Sequence, residues 1–261
     1  MRTRYASAIF GGLTALILCG AATPAFSERR GDPKNDDLIE EDEPGRPDVV
    51  KVTHIFRNAK GKPAAAASCS CPASDGANYS LLKVKWTGNE LKFNIYTLKS
   101  GLGAPAGDAV RASFNAWKAA EPAAPTPVSV QNDADAGPGI GLDGEQNVSW
   151  QPLSAVYGSN TLAVTVYWYS RAKTGGFSPI SHFDMAFNTD YAWGLLGATN
   201  SCGGGSASFD VADVGTHEAG HAYGMGHNSD CNLTMNPTAA AGETTKSSLA
   251  TGDIRGIQAI Y

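Results

Sequence analysis

His217-Glu218-Ala219-Gly220-His221-Ala222-Tyr223-Gly224-Met225-Gly226-His227 gathers three of the chain's five histidines into one short window. His217 and His221 stand at i and i+4. On a helix that spacing puts both imidazoles on one face, close enough to share one ion. Glu218 follows His217 directly, too close in sequence to ligate the same ion, but placed to take a proton from a water held there. A hydrolytic zinc takes three protein ligands and keeps one position open. His227 supplies the third only if the helix stops. At 100° per residue, a helix continued from His221 to His227 turns through about 240° modulo one turn and faces away. Gly224 stands where the break is needed and tolerates the left-handed conformation such a break takes. Gly226 adds further freedom.

Outward from this window, the pattern reads as α+β. Val211 to Tyr223 is expected to be a helix, with Asp210 as N-cap and Asp213 three residues on. Leu91 to Tyr96 alternates apolar and polar, as a half-buried strand does. Val110, Phe114 and Trp117 mark one face of a helix over Gly107 to Glu121, with Asp108 near its start. Val128–Val130 and Val148–Trp150 read as short strands flanking a Gly- and Asp-rich loop, Asn132 to Gly144. Leu162 to Tyr169 is β-branched and aromatic, the strongest strand signal in the chain. Ile180 to Phe187 is a further strand, and Ala250 to Tyr261 a last helix. No internal repeat is evident.

The chain has 261 residues, 42% of them apolar, and a formal charge of -5. That is enough for one packed domain plus a leader. The charge gives no footing for a nucleic-acid partner. Arg2 and Arg4, the apolar run Ala8 to Ala22 and the small residues Ala25-Phe26-Ser27 read as a signal peptide over 1–27. Leu18 is too bulky for a lipoprotein cleavage site, so Cys19 is not read as a lipid anchor. The mature chain is expected to be secreted or periplasmic, off the membrane, and a monomer. Residues 28–48 are polar and acidic and read as a flexible leader or part of a pro-segment, with Val49 to Phe56 a short strand. Residues 28–81 are assigned to this leader and 82–261 to the compact domain. Four cysteines follow the signal: Cys69, Cys71, Cys202 and Cys231. An even number in an exported chain favours disulfides. Cys202–Cys231 is the favoured pair, because it would brace both ends of the metal helix.

H-E-x-x-H-x-x-G-x-x-H is the signature of the metzincin peptidases, and the chain resembles the matrixins and their bacterial secreted relatives. Lys85-Trp86 with Leu91-Lys92-Phe93 resembles the family's first strand, Val110-Phe114-Trp117 its first helix, Asn160 to Ala163 the start of its edge strand, and Asp253 to Tyr261 its final helix. The resemblance covers about 82–261. It implies the metzincin-type fold: a twisted mixed sheet, a long active-site helix, a methionine turn and a C-terminal helix. In Leu233-Thr234-Met235-Asn236-Pro237 it makes Met235 the residue under the metal. It implies one catalytic zinc on His217, His221 and His227, Glu218 as general base, and a protein or peptide substrate paired antiparallel with the exposed strand Leu162–Tyr169.

Several departures qualify the resemblance. Matrixins hold a second, structural zinc on extra histidines. Val164 stands where one of these would fall and His182 is the sole remnant, so that zinc is not expected. Asp133, Asp135 and Asp143 offer oxygens of the kind calcium takes, the other reading being a solvated loop. Gly252 replaces one of two adjacent acids of the matrixin end helix. Cys71-Pro72-Ala73-Ser74-Asp75 keeps the Cys-to-Asp spacing of a matrixin pro-region without its preceding arginine, so a cysteine latch is not expected. Two other readings stay open: a secreted zinc-binding adhesion or inhibitor module without catalysis, and a zinc hydrolase of a non-peptide bond.

Overall fold

A computed structural model describes residues 30–32, 35–59 and 78–261. The signal peptide, Cys19, Cys69 and Cys71 lie outside the described residues. Strands β1 (Arg30–Asp32), β2 (Asn35–Glu43) and β3 (Arg46–Asn58) come first, then β4 (Val84–Lys85), β5 (Glu90–Tyr96) and helix α1 (Ala104–Ala120). Strands β6 (Thr126–Asn132) and β7 (Asn147–Gln151), the short α2 (Ser154–Tyr157), β8 (Thr161–Ser170) and β9 (Ser178–Asn188) follow. The C-terminal part holds β10 (Trp193–Gly194), β11 (Phe209–Asp210), α3 (Val211–Ala222), β12 (Thr238–Ala239) and α4 (Thr251–Ile260).

The main sheet runs β1-β2-β3-β8-β9-β7-β5-β6, with β12 on β3 and β4 on β9. From β9 to β6 the pairings are parallel, and β8 lies antiparallel to β9. This is the twisted mixed sheet the resemblance implies. Strands β5 to β9 are those expected, each within two residues at both ends. Helices α1 and α3 cover one face. Val110, Phe114 and Trp117 are fully buried there, with Leu91, Phe93 and Ile95 of β5 in the same core. The Trp117 indole N–H donates to the Thr216 carbonyl at 2.7 Å, tying α1 to α3. The opposite face buries Val164, Val166 and Trp168 of β8 with Val49 and Ile55 of β3.

Three expectations need correction. Helix α1 begins at Ala104, ahead of Gly107. Pro105 lies in its first turn, where a proline's fixed φ and missing N–H do no harm. Asp108 is therefore past the first turn and pairs with Arg111 at 2.5 Å. The second correction concerns 28–48, read as flexible. Strands β2 and β3 form an antiparallel hairpin instead, with Leu38 opposite His54 and Glu41 opposite Lys51. The acidic run that suggested a solvated leader finds donors across the sheet: Asp37 meets Arg57, Glu41 meets Lys51, and Asp42 meets Arg171. Glu43 accepts from the Trp168 indole and Glu40 from the Tyr169 hydroxyl.

The third correction follows from the second. Leu162–Tyr169 was expected to be an exposed edge. In the structure β8 is paired on both sides, because β3 lies along it from Val49↔Ser170 to Arg57↔Thr161. Among the described residues, no helix is long and apolar enough to cross a membrane.

Candidate metal centre

Helix α3 starts as its sequence dictates. The Asp210 carboxylate accepts from the Asp213 N–H at 2.8 Å, satisfying one orphan donor of the first turn. The helix ends at Ala222, with Tyr223 as C-cap and Gly224 at φ +99°. A Cβ on Gly224 would stand 2.5 Å from the Val84 carbonyl oxygen, so sterics as well as backbone conformation require glycine. The break turns the chain back and delivers His227 to the same side as His217 and His221. Ring centroids of the three lie 4.6–5.2 Å apart.

Each helix histidine is oriented by a backbone carbonyl. Nδ1 of His217 lies 2.7 Å from the Thr234 oxygen, and Nδ1 of His221 lies 2.9 Å from the Met225 oxygen. An N–H at Nδ1 in both rings leaves each Nε2 with a bare lone pair. These two nitrogens face one another at 3.0 Å. Two lone pairs so placed repel unless a cation lies between them. A proton is the wrong one, because burial holds all three imidazoles neutral and pushes His221 down to about 3. Zinc bonds of 2.0–2.1 Å at tetrahedral angles place two nitrogens about 3.3 Å apart. His227 is also orphaned, with neither ring nitrogen hydrogen-bonded in a buried setting. The donor set and its unmet nitrogens therefore fit zinc.

Below the histidines, Met235 is 1% exposed. Gly220 makes room for it: a Cβ there would stand 2.4 Å from the Met235 sulfur. Asp253 of α4 fixes this turn. Its carboxylate accepts from the N–H groups of Thr234 at 2.9 Å, Met235 at 3.2 Å and Ala250 at 3.0 Å. The acid kept beside Gly252 thus holds the methionine turn.

Glu218 is fully buried beside the histidines. Burial pushes its carboxyl up to about 8, and a 2.5 Å hydrogen bond from the Thr165 hydroxyl to Oε2 pulls the other way. Its second oxygen, Oε1, has no partner. A carboxyl held at this proton affinity with one free oxygen can take a proton and give it up near neutral pH.

The structure adds two residues that the sequence reading passed over. Thr165 of β8 orients Glu218. His54 of β3 stacks on His221 at 3.8 Å between centroids, and its donor atom lies within 4.8 Å of those of His221 and His227. The signal for His54 was a lone histidine inside the apolar run Val49 to Phe56. The other sites behave differently. His182 is buried 3.6 Å from Asp184 and 3.9 Å from Asp143. Asp133, Asp135 and Asp143 accept hydrogen bonds mainly from their own neighbourhood: Thr97 and Gln131, Gly137 and Glu145 respectively.

Comparison with known proteins agrees with this geometry. The family model described as Matrixin (Peptidase_M10) matches residues 85–261. Human neutrophil collagenase is 29% identical over 194 residues, covering 74% of this chain and 37% of the relative. Human matrilysin is 37% identical over 78 residues, covering 30% of this chain and 26% of the relative. Metalloendoproteinase 1 of Glycine max is 39% identical over 75 residues, covering 29% and 24%. The chain thus spans well under two thirds of the length of these relatives. With a family match over most of its length and the full histidine signature brought together, the chain belongs to the matrixins, a family of zinc metallopeptidases.

Proposed function

We propose that this protein is a secreted zinc-dependent endopeptidase that uses Glu218 as general base. The observation that carries the reading is the free Oε1 of Glu218, buried beside His217 and His221, whose Nε2 atoms lie 3.0 Å apart, and His227, whose ring centroid lies 4.6 Å from that of His221. His217, His221 and His227 would hold the zinc. When bound, the metal acidifies a water and polarises the scissile carbonyl. Glu218 takes the proton of the attacking water at Oε1, holds it, and passes it to the leaving nitrogen. Thr165 keeps the carboxylate aimed by holding Oε2. The carbonyls of Thr234 and Met225 fix the two helix imidazoles in the tautomer that leaves Nε2 free. The substrate is a protein or peptide; main-chain pairing with β8 is open to it only where β3 has left that edge.

Export through a signal peptide over 1–27, a leader ending near 81 and a monomeric mature chain belong to the same reading. So does a Cys202–Cys231 disulfide, which neither cysteine's state opposes. It would tie the loop before α3 to the segment between His227 and the methionine turn. The reading needs one zinc and assigns no role to calcium at the Asp133 loop.

Glu218→Ala tests the assignment. The variant should bind zinc as tightly as the parent while casein hydrolysis falls at least ~10²-fold, the scale of a lost general base. Undiminished turnover would overturn it. A catalytically silent binding module is separated by the parent protein itself: processed, zinc-loaded and chelator-sensitive casein cleavage excludes that reading.

A further inference from the structure

Strand β3 occupies the place a substrate would take. It pairs antiparallel with β8 through nine register positions, from Val49↔Ser170 to Arg57↔Thr161. On its other side it pairs parallel with β12, Thr238↔Arg57 and Ala239↔Asn58. The Arg57 N–H donates to the Pro237 carbonyl and the Ala59 N–H to the Ala239 carbonyl, both at 2.9 Å. Residues 57–59 are therefore clamped between β8 and the chain that follows Met235. Side chains reinforce the clamp: Arg57 reaches Asp37 at 2.8 Å, the Tyr157 carbonyl at 2.6 Å and the Thr161 hydroxyl at 2.7 Å.

The strand's alternation decides what enters the site. Even-numbered positions face the helices: Val50, Val52 and Phe56 join the main core, while Val49 and Ile55 join the opposite one. His54 is on the even face, 1% exposed and directly opposite Thr165, the residue that holds Glu218. It stacks on His221 and stands edge-on to His227 at 5.3 Å. Its Nε2 meets the Tyr167 hydroxyl at 3.4 Å, and its Nδ1 has no partner at all. Phe56, two residues on, is fully buried 4.1 Å from the His217 ring. A buried imidazole with an unmet nitrogen, beside His227 in the same condition and His221 with its Nε2 facing another imidazole, is the arrangement of a ligand.

We propose that β3 is a built-in latch laid in the cleft in a substrate's direction, with His54 as a fourth ligand to the same zinc. The inference rests on the zinc-peptidase reading above. His54 takes the position that a water would fill. Glu218 then has no water to deprotonate, and the strand is not cut although it lies as a substrate lies. The chain in this form is latent, and activity requires β3 to leave β8. No cysteine is needed for this latency.

The zinc-edge X-ray absorption fine structure of the intact wild-type chain reads the ligand count without any variant. Four imidazoles are expected, and three imidazoles with one oxygen would overturn the proposal. His54→Ala should convert the first to the second and weaken zinc at least tenfold in competition with a chromogenic chelator. An unchanged ligand count in that variant overturns the proposal as well. Failure of the underlying reading looks different. Zinc uptake at parental affinity in a His217→Ala/His221→Ala double variant places the metal elsewhere and removes both ideas together. Three imidazoles and an oxygen in the wild type remove the latch alone.

Discussion

Nδ1 of His217 lies 2.7 Å from the carbonyl oxygen of Thr234, so the first of the three proposed zinc ligands is oriented by the turn that carries Met235. That turn is in turn held by Asp253, which is 1% exposed and accepts three backbone N–H bonds. Asp253→Ala leaves three backbone donors, two of them buried, without an acceptor. Loss of one charged hydrogen-bond acceptor costs about 1–3 kcal/mol, and orienting partners of a zinc histidine are worth 10–100-fold in metal affinity. The expected outcome is a lower unfolding midpoint together with weaker zinc, read by urea denaturation and chelator competition. Unchanged zinc affinity would detach the methionine turn from the metal site.

Gly224 predicts a sharper effect. Its φ of +99° is strained for any L side chain, and a Cβ would stand 2.5 Å from the Val84 oxygen. Gly224→Ala must move β4 or unwind the turn, at a cost of about 1–3 kcal/mol for the backbone conformation alone. The displaced turn carries His227, so zinc binding should fall with stability. A variant of parental stability and parental zinc affinity would show that the helix break does not need glycine.

This turn is also where the sequence was most legible. The offsets from His217 to His227 carry their own geometry: helical spacing, a required break, and a glycine to make it. Asp210 as N-cap is equally local. By contrast, β3 was read only as a short strand near Val49 to Phe56, because its place depends on partners more than a hundred residues away on β8. The acidic side chains of β2 read as solvated for the same reason. Their partners Arg171, Trp168 and Tyr169 are remote in sequence, and hydropathy alone does not register them. His54 was invisible as a site residue until register placed it opposite Thr165. The histidine signature was read from local spacing, whereas the closure of the cleft depends on sheet pairing.

Thr165 offers a test of how Glu218 is aimed. Its hydroxyl holds Oε2 at 2.5 Å and lowers the carboxyl's proton affinity against the opposing effect of burial. Thr165→Val keeps the shape of the side chain and removes the donor. The carboxyl then holds its proton more tightly, so the acid limb of the activity profile should move to higher pH. A fall in kcat of about tenfold is expected from a mispositioned general base, at the low end of what such groups contribute. KM should hardly change. An unmoved acid limb with unchanged kcat would remove Thr165 from the catalytic machinery.

Acid should destabilise the metal-free chain through its histidines. His54, His217, His221 and His227 are buried and held neutral, each with a proton affinity below the ordinary imidazole value of 6.5. The unfolded chain takes up those protons first as pH falls. Stability is therefore fully present above about 6.5 and is lost as pH drops towards the folded values, about 3 for His221. Each such group contributes up to about 1.4 kcal/mol for every pH unit inside that window. Urea midpoints of the metal-free protein at pH 7.5, 6 and 5 should fall with a slope steeper than a single histidine allows. Replacing one of the four by an isosteric apolar residue, His54→Leu, should flatten the slope by that group's share. Midpoints that stay level from pH 7.5 to 5 would mean that the imidazoles are not held neutral by burial, and the case for a cation between His217 and His221 would lose its electrostatic basis.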